Sequence, residues 1–176
     1  WMHSFAQAPA TLVFDSFVRV YFCCRPAPDA NGQYVSRAAY VDFDRADLTR
    51  VVAVSPEPIM PLGSLGAFDE FGTYPVSVIR HGAEVRGYYG GWTRCASAIG
   101  YAVSHDEGRT FQKHGAGPVL GASLHEPFVM SGPKIRRFQD RWYLFYIAGT
   151  KWIATEGRAE PVYRIRMATS DDGVTW

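Results

Sequence analysis

The sequence has few cysteines, no long apolar run and no excess of either charge. Its 176 residues include three cysteines, and two of them, Cys23 and Cys24, are neighbours whose side chains would point to opposite faces of a strand. A disulfide framework is therefore not expected, and a reducing compartment such as the cytoplasm is favoured. No segment reaches the roughly 20 apolar residues that span a bilayer, and no apolar signal core follows a basic stretch. We therefore expect a soluble protein without a membrane partner.

Several kinds of chemistry lack their sequence signals. The five histidines show no pair at metal-ligand spacing and there is no Cys-x-x-Cys, so neither a metal site nor a cofactor is expected. A nucleophile elbow, a phosphate loop and a dinucleotide fingerprint are also missing. The formal charge is +1, and basic residues do not cluster with aromatic ones, which argues against nucleic acid as a partner.

What the sequence does contain is one pattern repeated three times, about every sixty residues. Each repeat starts with an apolar run marked by a proline, which is Pro9, Pro75 or Pro133. An aromatic run follows each start, and a third apolar run closes the unit. Short strands repeated at this period indicate the blades of a β-propeller.

The repeats define a single all-β domain over residues 1–176. Runs rich in Val, Ile, Tyr, Phe and Trp alternate with turn residues, and no run keeps a helical period for more than about two turns. We predict four-stranded antiparallel blades at about 5–55, 70–120 and 127–176. Fourth strands are expected over 49–54 and within 110–119, and the third blade stops before its own. The segments 56–71 and 115–127 are connections.

A closed propeller needs at least about four blades, and these three are too few. We therefore expect the chain to be part of a longer polypeptide of five blades, or to close with a second copy. An open blade edge left unpaired would otherwise favour aggregation.

Two turns share a distinctive motif. Residues 104–111 read S-x-D-x-G-x-T-aromatic, which is the Asp-box pattern, and residues 170–176 repeat it with one residue fewer. The aspartate accepts backbone N–H bonds, the glycine takes a left-handed conformation and the aromatic residue packs beneath the turn. Asp106, Asp171 and Asp172 are therefore expected to be structural, and residues 42–47 occupy the corresponding place in the first repeat.

Together these features resemble the five-bladed propeller superfamily of glycoside hydrolases, which includes arabinanases and xylosidases of family 43, fructosidases and mannoside phosphorylases. The resemblance covers essentially the whole chain. Its most specific parts are residues 66–77, similar to the family's start of a second blade, and residues 170–176, similar to its recurrent D-G-x-x-W turn. It implies a carbohydrate or glycoside substrate and catalysis by carboxylates on the inner strands.

The sequence departs from that family at the starts of two inner strands. An aspartate normally precedes the first proline, but here the segment is Gln7-Ala8-Pro9, which places an amide where a base is expected. Gly132 precedes Pro133, where the family would again have an aspartate. The family's acid on a later blade lies outside these residues, so its usual triad cannot be assembled from this chain.

The carboxylates nearest the expected funnel are Asp69, Glu70 and Glu126. Asp69 lies six residues before Pro75 and Glu126 seven before Pro133, in equivalent places of two repeats. Glycoside hydrolysis needs two carboxyl groups about 5–9.5 Å apart. Asp69 and Glu126 are therefore the catalytic candidates, with Glu70 a weaker one, and the alternative is that they are turn acceptors or partners of arginine.

The substrate-binding candidates combine flat aromatic faces with planar hydrogen-bonding groups, as sugars require. Each repeat has a cation in the loop after its aromatic strand, twice accompanied by tryptophan, and Gln7 is placed to bind a sugar hydroxyl. The candidates are Gln7, Arg25, Trp92, Arg94, Lys151 and Trp152, with Arg37 and Arg164 as weaker ones. The alternative is that these cations are solvated and only cover blade edges.

The favoured hypothesis is a glycoside hydrolase or related carbohydrate-active enzyme. A non-catalytic carbohydrate-binding or scaffolding propeller is the alternative, because an amide and a glycine replace acids. A sialidase-like enzyme is a weaker alternative suggested by the Asp boxes, and it requires three arginines in one pocket.

Overall fold

The computed structural model describes residues 1–93 and 96–176, which form strands and turns without a helix. Within those ranges no helix could cross a bilayer. The first sheet has the order β1-β2-β3-β4, and its strands are β1 (Ser4–Val13), β2 (Phe17–Arg25), β3 (Arg37–Asp44) and β4 (Val51–Val54). Every neighbouring pair in it is antiparallel.

The second and third sheets repeat this up-and-down order. Sheet two contains β5 (Gly72–His81), β6 (Glu84–Trp92), β7 (Ser97–Ser104) and the two-residue β8 (Gln112–Lys113). Sheet three contains β9 (Met130–Phe138), β10 (Arg141–Thr155) and β11 (Arg158–Ser170), with β10 in the middle. The fourth strands therefore lie where the turn pattern predicts them, and sheet three has three strands in the described part of the chain.

The sheets stack in chain order through their first strands. β1 packs against β5, and β5 in turn packs against β9. Pro9, Pro75 and Pro133 lie on these three strands. The all-β class and the partial propeller predicted from the repeats are confirmed.

Sheet two is apolar on both faces because it lies between the other two. Along β6 the side chains alternate with the period of two of a strand, so Tyr89 enters the core shared with sheet one and Tyr88 the core shared with sheet three. The first core includes Tyr21, Val76 and Phe111; the second includes Ile99, Ile135, Trp142 and Leu144. Burial on both faces is matched by the absence of charged residues from β6 after Arg86.

The Asp boxes form the expected turns. Asp106 accepts hydrogen bonds from the backbone N–H groups of Arg109 and Thr110. Asp172 accepts bonds from the N–H groups of Val174 and Thr175, whereas Asp171 is 96% exposed and lies only 4.0 Å from Arg141. Gly108 and Gly173 have φ angles of 82° and 78°, which is the left-handed conformation that glycine adopts most readily.

The same pair of side-chain hydrogen bonds joins sheet one to sheet two and sheet two to sheet three. Tyr21 donates its hydroxyl to the Gly108 carbonyl at 3.0 Å, and Tyr88 donates to the Gly173 carbonyl at 2.7 Å. Two residues earlier, Arg19 donates to the Glu107 carbonyl, and Arg86 to the Asp172 carbonyl. An Arg-x-Tyr segment on the second strand of one sheet therefore holds the Asp box of the following sheet.

The two described cysteines are buried free thiols. Burial raises the pKa of Cys23 to about 12 and that of Cys24 to about 11. Both side chains therefore behave as small apolar groups. Cys95 lies outside the described residues.

Candidate functional site

An inner cavity of about 460 Å³ lies where β5 and β9 begin. Strand β5 contributes Tyr74 and Pro75 to its wall, and β9 contributes Ser131 and Gly132. The ends of the second strands and β11 complete the wall with Arg25, Trp92 and Tyr163. The cavity is thus lined by aromatic rings, aliphatic side chains, the hydroxyl-bearing Ser97 and Ser131 and, among the described residues, one guanidinium.

A cleft of about 420 Å³ adjoins this cavity between sheets two and three. Trp92, Ser97 and Val129 line both spaces, so the two adjoin and share part of their wall. The rest of the cleft wall is largely apolar and includes Phe68, Pro127, Phe128 and Trp152. The inner cavity and the cleft together are called the funnel below.

Asp69 is buried beneath the funnel wall, with 2% of its surface exposed. Tyr89 donates its hydroxyl to Asp69 Oδ2 at 2.8 Å. Lys113 Nζ lies 2.5 Å from the same oxygen as an ion pair, although off the directions of a hydrogen bond. Burial and the adjacent Asp69 charge raise the pKa of Tyr89, so its phenol stays protonated and remains a donor.

Glu126 has the same kind of partners in sheet three. Tyr146 donates its hydroxyl to Glu126 Oε2 at 2.8 Å, and Arg166 Nε lies 3.0 Å from Oε1. Burial, together with this carboxylate, raises the pKa of Tyr146 to about 12. The Glu126 side chain is 18% exposed, so it is more open to solvent than Asp69.

The two acids are equivalent in the fold but have no partner in common. Each precedes its tyrosine by 20 residues, and each is paired with a cation of its own sheet. Phe68 and Pro127, which adjoin Asp69 and Glu126 in sequence, line the cleft, while no carboxylate among the described residues lines the cleft or the inner cavity. Each acid therefore lies inside its own blade and is next in sequence to a residue of the cleft wall.

The predicted binding residues divide into three groups. Trp92 lines both parts of the funnel, Arg25 lines the inner cavity and Trp152 lines the cleft. Gln7 lies beside the inner cavity, where its Oε1 accepts the Tyr74 hydroxyl at 2.9 Å. Lys151, Arg37 and Arg164, like Gln7, line neither space, and Arg94 lies outside the described residues.

The two departures from the family pattern have a common backbone feature. Ala8 and Gly132, each directly before an inner-strand proline, have φ angles of 51° and 63°. This left-handed region favours glycine and tolerates asparagine and aspartate better than other side chains. Both positions therefore have a backbone conformation that an aspartate could also adopt.

Some residues of the site were not singled out from the sequence. Tyr74, Ser131 and Tyr163 line the inner cavity, and Tyr89 and Tyr146 bind the two acids. The matching 20-residue offsets from acid to tyrosine were a usable signal for the second group. Glu70, the weaker acid candidate, accepts the Gly66 backbone N–H at 3.0 Å and is thus a turn acceptor.

Other chemistries find no centre in the described ranges. Residues 1–93 and 96–176 contain no group of three or more His, Cys, Asp or Glu side chains that could hold a metal ion. They also place a single arginine, Arg25, on the funnel wall, whereas a sialidase-like site needs three.

No protein-family model matches the chain. It is 30% identical over 182 residues to the uncharacterized proteins Rv1502 and MT1551 of Mycobacterium tuberculosis. Both alignments include all of this chain but 58% of the relative. The chain therefore spans a little over half the length of the curated relatives it matches.

Solved structures give a consistent likeness over nearly the whole chain. The Bombyx mori GH32 beta-fructofuranosidase BmSUC1 is 17% identical, with a TM-score of 0.64 over 97% of this chain and 33% of that chain. Zg3597, a family 117 glycoside hydrolase of Zobellia galactanivorans, is 19% identical, with a TM-score of 0.68 over 96% of this chain and 44% of that chain. Sucrose-6-phosphate hydrolase from Lactobacillus gasseri is 18% identical, with a TM-score of 0.68 over 97% of this chain and 33% of that chain. The chain therefore shares its fold, a partial β-propeller, with part of each of these proteins.

Proposed function

We propose that this protein is carbohydrate-active and binds a saccharide in the funnel. The observation that carries the proposal is that the inner cavity and the cleft adjoin, with Trp92 in both walls. Indole and phenol rings offer flat faces to sugar C–H groups, and the Arg25 and Ser131 side chains offer hydrogen bonds to hydroxyls. The likeness to glycoside hydrolase structures adds support at the level of fold.

The chain organisation is part of this proposal. Sheets one, two and three are three blades of one domain over residues 1–176, and further blades or a second copy cover the outer face of sheet three. Exposed Phe145, Ile165 and Met167 on that face support it, since Ile165 alone is 80% exposed. The motif at residues 66–77 supports kinship with the arabinanases and xylosidases of family 43.

Saccharide binding is tested by calorimetric titration of the complete protein with a panel of oligosaccharides. Replacing Trp92 by Ala removes an aromatic face shared by both parts of the funnel, so the affinity for a bound sugar is expected to fall about tenfold or more. Trp1→Ala is the matched control, because Trp1 is exposed and its Nε1 bonds the Pro56 carbonyl away from the funnel. Equal affinities for the wild type and Trp92→Ala would contradict the proposal.

We further propose that the bound glycoside is cleaved with Asp69 and Glu126 as the two carboxylates. In such a reaction one carboxyl group protonates the leaving oxygen as the glycosidic C–O bond breaks, and the other accepts a proton from the attacking water or attacks the anomeric carbon itself. Their equivalent places beside cleft-lining Phe68 and Pro127 support this assignment. Glu126 is the more accessible of the two.

The cleavage proposal is tested with aryl glycosides. Glu126→Gln is expected to lower kcat by about 10²–10⁴-fold, while sugar affinity stays measurable. Asp171→Asn, at an exposed acid of an Asp box, is the control. Asp69→Asn is compared with Glu126→Gln at the same concentration of folded protein, because Asp69 also pairs with Lys113 and its replacement affects stability.

A non-catalytic carbohydrate-binding propeller is the second candidate. Gln7 and Gly132 at the inner-strand starts favour it, as do the ion pairs that engage both acids within their own blades. A protein of this kind would bind sugars through Trp92 and release no product from any aryl glycoside. Turnover that is lost in Glu126→Gln would exclude it.

A further inference from the structure

Arg25 is held firmly in place but is not neutralised. Its guanidinium carbon lies 4.9 Å from the Phe5 ring centre and 5.4 Å from that of Tyr34, and its Nε donates to Ser36 Oγ at 3.2 Å. No carboxylate of the described residues lies within ion-pair distance of it. An arginine that is positioned by stacking and one hydrogen bond keeps most of its donors for a ligand.

Other arginines of the fold show the contrast. Arg19 forms a two-pronged pair with Asp42, Arg166 pairs with Glu126 and Arg158 pairs with Glu160. These three guanidinium groups are therefore paired with a carboxylate. Arg25, which has no such acid in the described ranges, lines the inner cavity instead.

The inner cavity is also free of negative charge in the part that the structure describes. The two positions that precede inner-strand prolines carry Ala8 and Gly132, so neither adds a carboxylate. Gln7 Oε1 is occupied by the Tyr74 hydroxyl, which leaves its amide nitrogen to donate. Ser131 adds a hydroxyl to the same wall. A cavity with a cation, several donors and no acid has the chemistry of an anion site.

We propose that the inner cavity recognises an acidic group on the saccharide, either a uronate carboxylate or a phosphate ester, and that Arg25 is the residue that binds it. This inference rests on the proposed function and deepens it by naming the substrate class. The planar guanidinium fork matches the two oxygens of either group. Trp92 and Tyr163, on the same wall, contact the sugar ring that carries the group.

The test measures binding to the complete protein by calorimetry with two matched pairs of probes. Trigalacturonate is compared with its methyl ester, and glucose 6-phosphate with glucose. Inorganic phosphate alone shows whether the sugar is needed. The variants are Arg25→Gln and Arg25→Lys, and Arg109→Gln is the control because it makes the same charge change on an exposed Asp-box residue.

We expect the acidic member of one pair to bind about 10- to 100-fold tighter than its neutral partner, which is the range of a hydrogen-bonded charge pair. In Arg25→Gln this ratio falls to about one, because the acidic probe loses more affinity than its neutral partner, and Arg25→Lys keeps part of the ratio. The pair that shows the preference identifies the group as carboxylate or phosphate. Added salt should lower the ratio, since the interaction is partly exposed.

Three outcomes overturn the inference. A ratio near one in the wild type, with neutral sugar still bound and weakened by Trp92→Ala, refutes the acidic-ligand inference and leaves the proposed function standing. A preference that survives Arg25→Gln refutes the assignment to Arg25. Binding of inorganic phosphate without any of the four saccharide probes refutes both the inference and the saccharide proposal for this cavity.

Discussion

The interface between sheets one and two and the interface between sheets two and three use the same backbone contacts but different charge compensation. In both, an arginine and a tyrosine two residues later reach the carbonyls of the next Asp box. At the first interface Arg19 faces Asp42 across the strand pair, with hydrogen bonds of 2.7 and 2.6 Å. At the second, Arg86 faces Val103, and no acid occupies the corresponding place.

The surroundings of the two arginines follow from this difference. Arg19 is 1% exposed and its guanidinium lies 3.9 Å from the Tyr40 ring centre. Arg86 lies 4.8 Å from the Trp142 ring and 3.9 Å from Glu84, and its Nε has no hydrogen-bond partner. A fully buried cation needs its acid, whereas a partly solvated one can rely on aromatic faces and backbone carbonyls. Both interfaces therefore have the same hydrogen bonds to Asp-box carbonyls, whereas only the first has an acid facing its arginine.

The largest expected effect is the loss of stability on removing Asp42, the acid that faces the arginine at the first interface only. Asp42→Ala leaves Arg19 buried without its counter-ion, so the free energy of unfolding is expected to fall by about 3–5 kcal/mol. Val103→Ala, at the facing position of the second interface, removes only two methyl groups and should cost about 1 kcal/mol. Urea unfolding of both variants measures this. Equal losses would show that Asp42 does not compensate Arg19.

A smaller effect is expected at the glycines of the two Asp boxes. A Cβ on Gly108 would overlap the buried Tyr21 hydroxyl, whereas a Cβ on Gly173 would lie 2.8 Å from the Tyr88 hydroxyl and 3.0 Å from Arg86 Nη1. Both positions also require a left-handed backbone, which costs about 1 kcal/mol for alanine. We expect Gly108→Ala to destabilise by about 2–4 kcal/mol, and Gly173→Ala by about half as much. Thermal unfolding of both variants measures the two losses. A larger loss for Gly173→Ala than for Gly108→Ala would mean that the second turn is the more tightly packed.

The hydroxyls of Tyr21 and Tyr88 should contribute equally to stability at the two interfaces. Tyr21→Phe and Tyr88→Phe each leave one glycine carbonyl without its donor, so each is expected to cost about 1–2 kcal/mol in the free energy of unfolding. Tyr143→Phe is the control, since that side chain lies outside both interfaces. A cost at one interface only would mean that these hydrogen bonds are not equivalent in the two places.

Much of the fold could be predicted because its signals are local. Period-two apolar runs, prolines at the inner strands and the Asp-box residues each determine a strand or a turn from nearby sequence. The offset of Asp69 and Glu126 from their prolines also indicated that the two are equivalent. The Arg-x-Tyr segments at 19–21 and 86–88 were visible as well, although their contacts across sheets were not inferred.

The candidate site depended on information that strand patterns do not contain. Whether Asp69 faces solvent or Lys113 is decided by the register of β6, β7 and β8 and by the close approach of the Gly63 and Gly91 backbones to its side chain. In the sequence, Arg25 and Trp92 follow aromatic runs in the same way as Lys151 does. Only the packing of the sheets decides that the first two line the inner cavity and Lys151 does not.

The smallest effect compares the two Asp boxes through their dependence on pH. Burial raises the pKa of Asp106, but hydrogen bonds from Thr110, Ser104 and Arg109 outweigh it and lower the pKa from 3.8 to about 2. The pKa of Asp172 is lowered still further, mainly by the backbone N–H groups of Thr175 and Val174. Because both folded pKa values lie below the unfolded value, each carboxylate stabilises the fold above about pH 4 and loses this contribution as the pH falls towards its folded pKa. The difference in Tm between the wild type and Asp106→Asn should therefore shrink between about pH 4 and pH 2, and that for Asp172→Asn should persist to lower pH. A difference in Tm that stays constant over this range would mean that hydrogen-bond geometry, and not the charge of the carboxylate, holds the turns.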